Sequence, residues 1–123
     1  MDQSSAMTPD AFHQAAIALP GAVLDIKWGS DRCYCVGGKM FAAAGPGGAP
    51  PSGPSFKASD LAFEMLVEQG LARPAPYAAR FKWVQLMSYD ALPAAQLVAY
   101  LAQAHAIVAG SLTRKARAAL GIG

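Results

Sequence analysis

Charge is scarce in this chain. Only 15% of its 123 residues are charged, whereas 54% are hydrophobic. A composition that apolar excludes a disordered chain, and the length suits one domain whose core needs neither disulfides nor metal. Cysteine is nearly absent too. Cys33 and Cys35 stand two residues apart. On a strand they would share a face, where a mutual disulfide is badly strained. Two small buried thiols in a reducing cytoplasm are the expectation. The only histidines are His13 and His105. Zinc sites want four ligands at recognisable spacings, and no such set exists here, so no metal is expected. Nor is there a nucleophile elbow, a phosphate-binding loop or a dinucleotide fingerprint, so neither a cofactor nor an enzymatic role is expected. Asp25 and Asp31 flank a turn, but Asp31 reads as a turn residue rather than one of a catalytic pair.

No secretory signal is expected, because MDQSSAMTPD is polar and acidic. From Ala91 to Thr113 there is no charge, a length that would suit a membrane span. Its Gln96, Gln103 and His105 and its high alanine content make it a poor inserter. The stripe Leu97, Tyr100, Leu101, Ala104, Val108 reads instead as one face of a buried helix. A cytoplasmic protein with no membrane partner is expected.

What the chain does have is a run of ordered elements. Residues 1–7 read as a loose tail and 8–123 as a single domain. Thr8 is a good N-cap with Pro9 at the first helical position, and Phe12, Ala15, Ala16 and Leu19 then follow helical spacing up to Pro20-Gly21. The stretch DIKWGSDRCYCVGGKMF, Asp25 to Phe41, organises the rest. Leu24, Ile26 and Trp28 alternate with Asp25 and Lys27 as on a half-buried strand. In the next strand Cys33 and Cys35 face one way and Arg32, Tyr34 and Val36 the other. Gly37-Gly38 suits a type I′ hairpin turn, in which both central residues need positive φ. Lys39 to Ala44 then makes a third strand. Such a meander needs helices on one face to stand.

Residues 45–54, GPGGAPPSGP, read as an exposed, mobile loop. Ser55-Phe56-Lys57 resumes the sheet. Ser59 or Asp60 caps a second helix that ends at Gly70, with Asp60, Glu64 and Glu68 along one solvated acidic edge. Residues 71–82 are proline-punctuated and basic, Trp83 to Met87 closes the sheet, and Pro93 opens the third helix, which runs to about Gly110. A short basic helix is predicted from about Thr113 to Leu120.

Several pieces carry a family likeness: Leu19-Pro20-Gly21, Trp28-Gly29, Gly37-Gly38-Lys39-Met40-Phe41, Ser55-Phe56-Lys57, Pro74-Ala75-Pro76-Tyr77, Lys82-Trp83-Val84, and Arg114-Lys115 with Leu120-Gly121. In this order the chain resembles the MmcQ/YjbR family of small bacterial proteins over about residues 8–121. The resemblance implies a two-layer α+β fold: a curved antiparallel sheet of about five strands with helices packed on one face, in the order α-β-β-β-α-β-β-α. It also implies the family's usual label, a DNA-binding protein with a double wing of projecting hairpins. Thr113 stands where the family often has proline, and the 45–54 loop is unusually rich in glycine and proline.

The charge distribution supplies candidate contacts. Residues 1–72 hold seven acids against four bases, while 111–123 hold three bases and no acid. For DNA the candidates are Lys39 at the hairpin turn, Arg80 and Lys82 before the last strand, and Arg114, Lys115 and Arg117 in the tail. Binding through these would be weak, non-specific and salt-sensitive, because phosphate contacts carry no sequence information. The third helix is too uncharged to read a groove. Tyr77, Phe81 and Trp83 interleave with Arg80 and Lys82 either as a stacking platform for single strands or as a strand edge with its tryptophan in the core. The rival expectation is a protein- or peptide-binding module, self-association included, because the family's fold is similar to that of secretion chaperones.

Overall fold

Local chemistry sets the helix ends. The structure, a computed structural model, describes residues 7–27, 31–45, 53–75 and 81–122. Helix α1 (Pro9–Ile17) starts where Thr8 Oγ1 accepts a hydrogen bond from the Ala11 N–H at 3.1 Å. Met7 precedes the cap and Phe12 follows at the fourth helical position, the two places of a hydrophobic staple, and both are buried in the core. The domain therefore takes in Met7, which the sequence assigned to the tail; residues 1–6 lie outside the described residues. Helix α2 (Asp60–Glu68) is capped by Ser59, whose Oγ accepts from the Ala62 N–H, and it ends before Gly70 at φ +74°. Helix α3 (Ala94–Gly110) follows Pro93, and helix α4 (Arg114–Ala119) is capped by Thr113.

The strands are β1 (Ala22–Lys27), β2 (Asp31–Val36), β3 (Lys39–Ala44), β4 (Ser55–Lys57), β5 (Ala72–Pro74) and β6 (Trp83–Leu86). They form one antiparallel sheet in the order β1-β2-β3-β4-β6-β5. The α+β architecture is as the resemblance implies, with two differences in detail. There are six strands rather than about five, because Ala72–Pro74 pairs with β6 as an edge strand. Four strands also precede α2, giving α-β-β-β-β-α-β-β-α-α, since Ser55–Lys57 pairs with β3 before the chain turns into α2. Ser55–Lys57 resumes the sheet as the sequence suggests, whereas the three residues of β5 are too few to show an alternating pattern of their own.

The register assigns each side chain to a face. Leu24, Tyr34, Ala42, Phe56, Val84 and Pro74 stand opposite one another across all six strands. Four of these, Tyr34, Ala42, Phe56 and Val84, are fully buried among Phe12, Leu66, Leu97, Leu101 and Ala104 of the helices. Full burial of each large apolar side chain contributes about 1.5–3 kcal/mol. The alternate row is Asp25, Cys33, Ala43, Ser55, Gln85 and Arg73, small or polar and turned away from the helices. A bulge at Tyr34/Cys35 sets an extra residue, Phe41, into β3. Its ring meets the edge of His105 at 5.3 Å. His105, buried on α3, donates Nε2–H to the Pro20 carbonyl at 2.6 Å and so ties α3 to the turn before β1.

The end of the 45–54 loop departs from its expected exposure. Gly53 and Pro54 are buried; the Pro54 carbonyl accepts from the Leu86 N–H, and a β-carbon on Gly53 would meet the Leu86 carbonyl oxygen at 2.5 Å. These two residues extend the β4–β6 pairing and are not free loop. Residues 46–52 lie outside the described residues.

Candidate nucleic-acid interface

Antiparallel pairing sends alternate strand ends to the same side. The start of β1, the Gly37-Gly38 turn, Lys57 at the end of β4, and Lys82 just before β6 therefore share one end of the sheet. Lys39, Lys57 and Lys82 stand in or just before three neighbouring strands, which span roughly 10 Å at about 4.8 Å per step. Each is held by a neutral partner. Lys39 Nζ donates to Ser111 Oγ at 3.3 Å. Lys57 Nζ donates to the Phe81 carbonyl. Lys82 Nζ sits 5.0 Å from the centre of the Phe63 ring. None of these contacts cancels the ammonium charge.

Helix α4 borders the same end. Leu112, just before it, fills the space over Gly37, where a β-carbon would come within 2.6 Å of its Cδ1. Leu120 and Ile122, just after it, lie 3.5 and 3.4 Å from the corresponding point on Gly21. The helix thus runs from the hairpin tip to the start of β1. It carries exposed Arg114 and Lys115, and a partly buried Arg117 whose Nε has no hydrogen-bond partner among the described residues. The hairpin tip is consequently pinned against the α3–α4 connection. It is a fixed part of the rim and not a free projection.

Of the residues expected to contact DNA, the fold gathers Lys39, Lys82, Arg114, Lys115 and Arg117 at one end of the molecule. Arg80 lies outside the described residues, as do Tyr77 and Trp28. Lys57 was missed. The sequence marks it as part of a strand, and only its pairing with β6 brings it beside Lys82. The acidic edge of α2 is exposed at Asp60, Glu64 and Glu68; of these, Asp60 stands nearest the rim, at the helix start. Among the aromatics, Trp83 is buried and Phe81 is 54% exposed.

Lys82 explains that split. It is the one non-glycine residue among those described with positive φ, at +63°. Left-handed backbone disfavours a side chain by about 1–2 kcal/mol. Here it reverses the chain between Phe81, turned to solvent, and Trp83, taken into the sheet. The Lys82 carbonyl still accepts from the Ala58 N–H at 2.9 Å, which fixes the turn to β4's end.

A second feature borders the rim, a cleft of about 400 Å³ lined by Gly21, Val23, Leu24, Asp25, Cys35, Gly37, Gly38 and Leu120. Its chemistry is sparse: one carboxylate and one thiol. Among the described residues no three His, Cys, Asp or Glu side chains come together as a metal site. No helix among them is long and apolar enough to cross a membrane.

Fold and rim together define a class: a small two-layer α+β protein with an open antiparallel sheet and cations collected at one sheet end. The YjbR family model matches residues 17–107, well over half of the chain. The protein belongs to the YjbR family. It superposes on the crystal structure of Deinococcus radiodurans protein DR2400, of domain family DUF419, with a TM-score of 0.79 over 99% of this chain and 94% of that one. At 18% identity that likeness shows the fold alone. No curated protein matches the sequence.

Proposed function

We propose that this YjbR protein is a non-enzymatic, cytoplasmic DNA-binding protein that holds the phosphate backbone on its basic rim. The observation that carries the reading is the gathering of Lys39, Lys57, Lys82 and the α4 cations at one end, the three lysines held by neutral groups. Such a surface attracts a polyanion and gives no base readout. Two cysteines outside any disulfide, one of them fully buried, suit a reducing compartment. The test is fluorescence anisotropy with labelled single- and double-stranded DNA across a salt series. Affinity should fall linearly on a log–log plot, and each lost phosphate contact should lower the slope by about 0.9 on duplex. Lys82→Gly is the sharpest variant, because glycine relieves the positive φ while removing the charge. It should weaken binding with stability changed by no more than about 1 kcal/mol. A flat titration at low salt ends the reading.

One observation favours a protein partner instead. Strand β1 is a six-residue, proline-free sheet edge with Val23 59% and Ile26 52% exposed, the kind of edge that accepts an added strand. A pull-down with and without nuclease separates the two. Captured protein that survives nuclease, with no nucleic acid recovered, supports the strand-addition reading.

A further inference from the structure

The cleft of about 400 Å³ beside α4 falls in the size range of small-molecule sites. Val23, Leu24 and Leu120 give it apolar walls. Gly21, Gly37 and Gly38, all at positive φ, line it with bare peptide planes where other residues would put side chains. Flat backbone with polar edges suits a planar heterocycle better than an alkyl chain. No lining residue is cationic, so the charged end of an anionic ligand belongs outside the cleft. Arg117 stands there, one turn before Leu120 on the same side of α4. Its Nε is the one buried side-chain polar atom among the described residues without a hydrogen-bond partner, although the side chain as a whole is partly exposed. An unpaired buried N–H on a charged group destabilises the free protein, the mark of a group kept for a ligand. We propose that cleft and guanidinium together bind one nucleotide, its base in the cleft and its phosphate on the outer end of Arg117, with Lys39 beside Gly38 as the second cation. This rests on the phosphate-binding reading and adds to it a place for an unpaired base. The ligand is a nucleotide, free or in a single strand; a paired base in duplex cannot enter the cleft.

The experiment uses the full chain and three labelled probes of equal length: a thymidine homopolymer, an abasic strand with the same phosphates, and a duplex. At low salt the wild type should bind the homopolymer about tenfold more tightly than the abasic strand, through the ring surface removed from water. Iododeoxyuridine placed in the homopolymer and irradiated in the complex should cross-link to the peptide holding Val23 and Leu24 or to that holding Cys35 to Gly38. Arg117→Lys keeps the charge but loses the planar fork, and should weaken homopolymer binding about tenfold. Arg32→Lys, at the far end of β2, should weaken it not at all. Arg117→Met removes the unpaired N–H and should raise the thermal midpoint while weakening binding. Thymidine monophosphate that displaces the homopolymer at equal nucleotide concentration identifies a free nucleotide as the ligand; failure to displace it identifies the strand. Equal wild-type affinity for homopolymer and abasic strand, tighter binding of the duplex, or cross-links confined to other segments would each overturn the base site while leaving phosphate binding standing. Unchanged affinity in Arg117→Lys would overturn the assignment of the phosphate to Arg117. Absence of binding to all three probes would overturn both readings.

Discussion

Tyr34 is fully buried at the centre of β2, and its hydroxyl lies 3.0 Å from His13 Nδ1. Its ring and that of Tyr89 both meet the Phe12 ring edge-on at 5.9 Å. Burial pushes the Tyr34 pKa above the usual tyrosine value, against a smaller lowering by the hydrogen bond and charge of Arg32. Tyr89 is raised in the same way by burial, then by repulsion from Tyr34. A raised pKa means that the unfolded chain ionises first as pH climbs. Stability from these two phenols is thus complete below their unfolded value of about 10, and it falls as pH rises from there through the folded values. Urea unfolding between neutral pH and pH ~11 should show that alkaline loss. Tyr34→Phe should cost about 0.5–1.5 kcal/mol at neutral pH, through the lost hydroxyl contact, and should make the alkaline fall shallower. An equally steep fall in the variant would place the alkaline loss elsewhere.

At the scale of elements, the β2–β3 hairpin and α4 depend on each other. Gly37 and Gly38 have φ of +59° and +81°, as a type I′ turn requires. Alanine at Gly38 has nothing within 4 Å of its β-carbon, so it should cost only the backbone strain, about 1–2 kcal/mol. Alanine at Gly37 pays the same strain and also drives into Leu112, itself buried, which should add about 1–3 kcal/mol. Chemical denaturation of the two variants side by side measures how firmly the hairpin tip is docked. Equal losses would mean that the contact is soft. This pair also marks what the sequence could say. The glycine pair, the Thr8 cap, Ser59 as one of two candidate caps and the face taken by each residue of β2 were legible, because turn chemistry and period-2 alternation are local. Leu112 over Gly37 was not, because the residues are far apart in the chain and no local pattern couples them. For the same reason Lys57 passed as a plain strand residue, and the edge strand Ala72–Pro74 was lost in a proline-rich run.

Across the whole molecule, the antiparallel register turns a net charge of only +2 into a polar distribution. Lys39, Lys57, Lys82 and the α4 cations take one end of the sheet; the other mixes Asp31, where β2 begins, and Asp90, shortly after β6 ends, with Lys27 and Arg32. Arg32 offers a control that separates position from net charge. It is exposed like Lys39 but stands at the opposite end of the same hairpin, paired with Ala44. Arg32→Ala and Lys39→Ala remove one positive charge each, so any binding that follows net charge alone must weaken equally in both. Binding through the rim predicts a difference. Lys39→Ala should lower the salt slope on duplex DNA by about 0.9, the value of one lost phosphate contact, and Arg32→Ala should leave it unchanged. Anisotropy titrations of the two variants over one salt series decide between these outcomes. Equal slopes would mean that the gathering of cations at the rim has no part in binding, whatever the affinity for DNA.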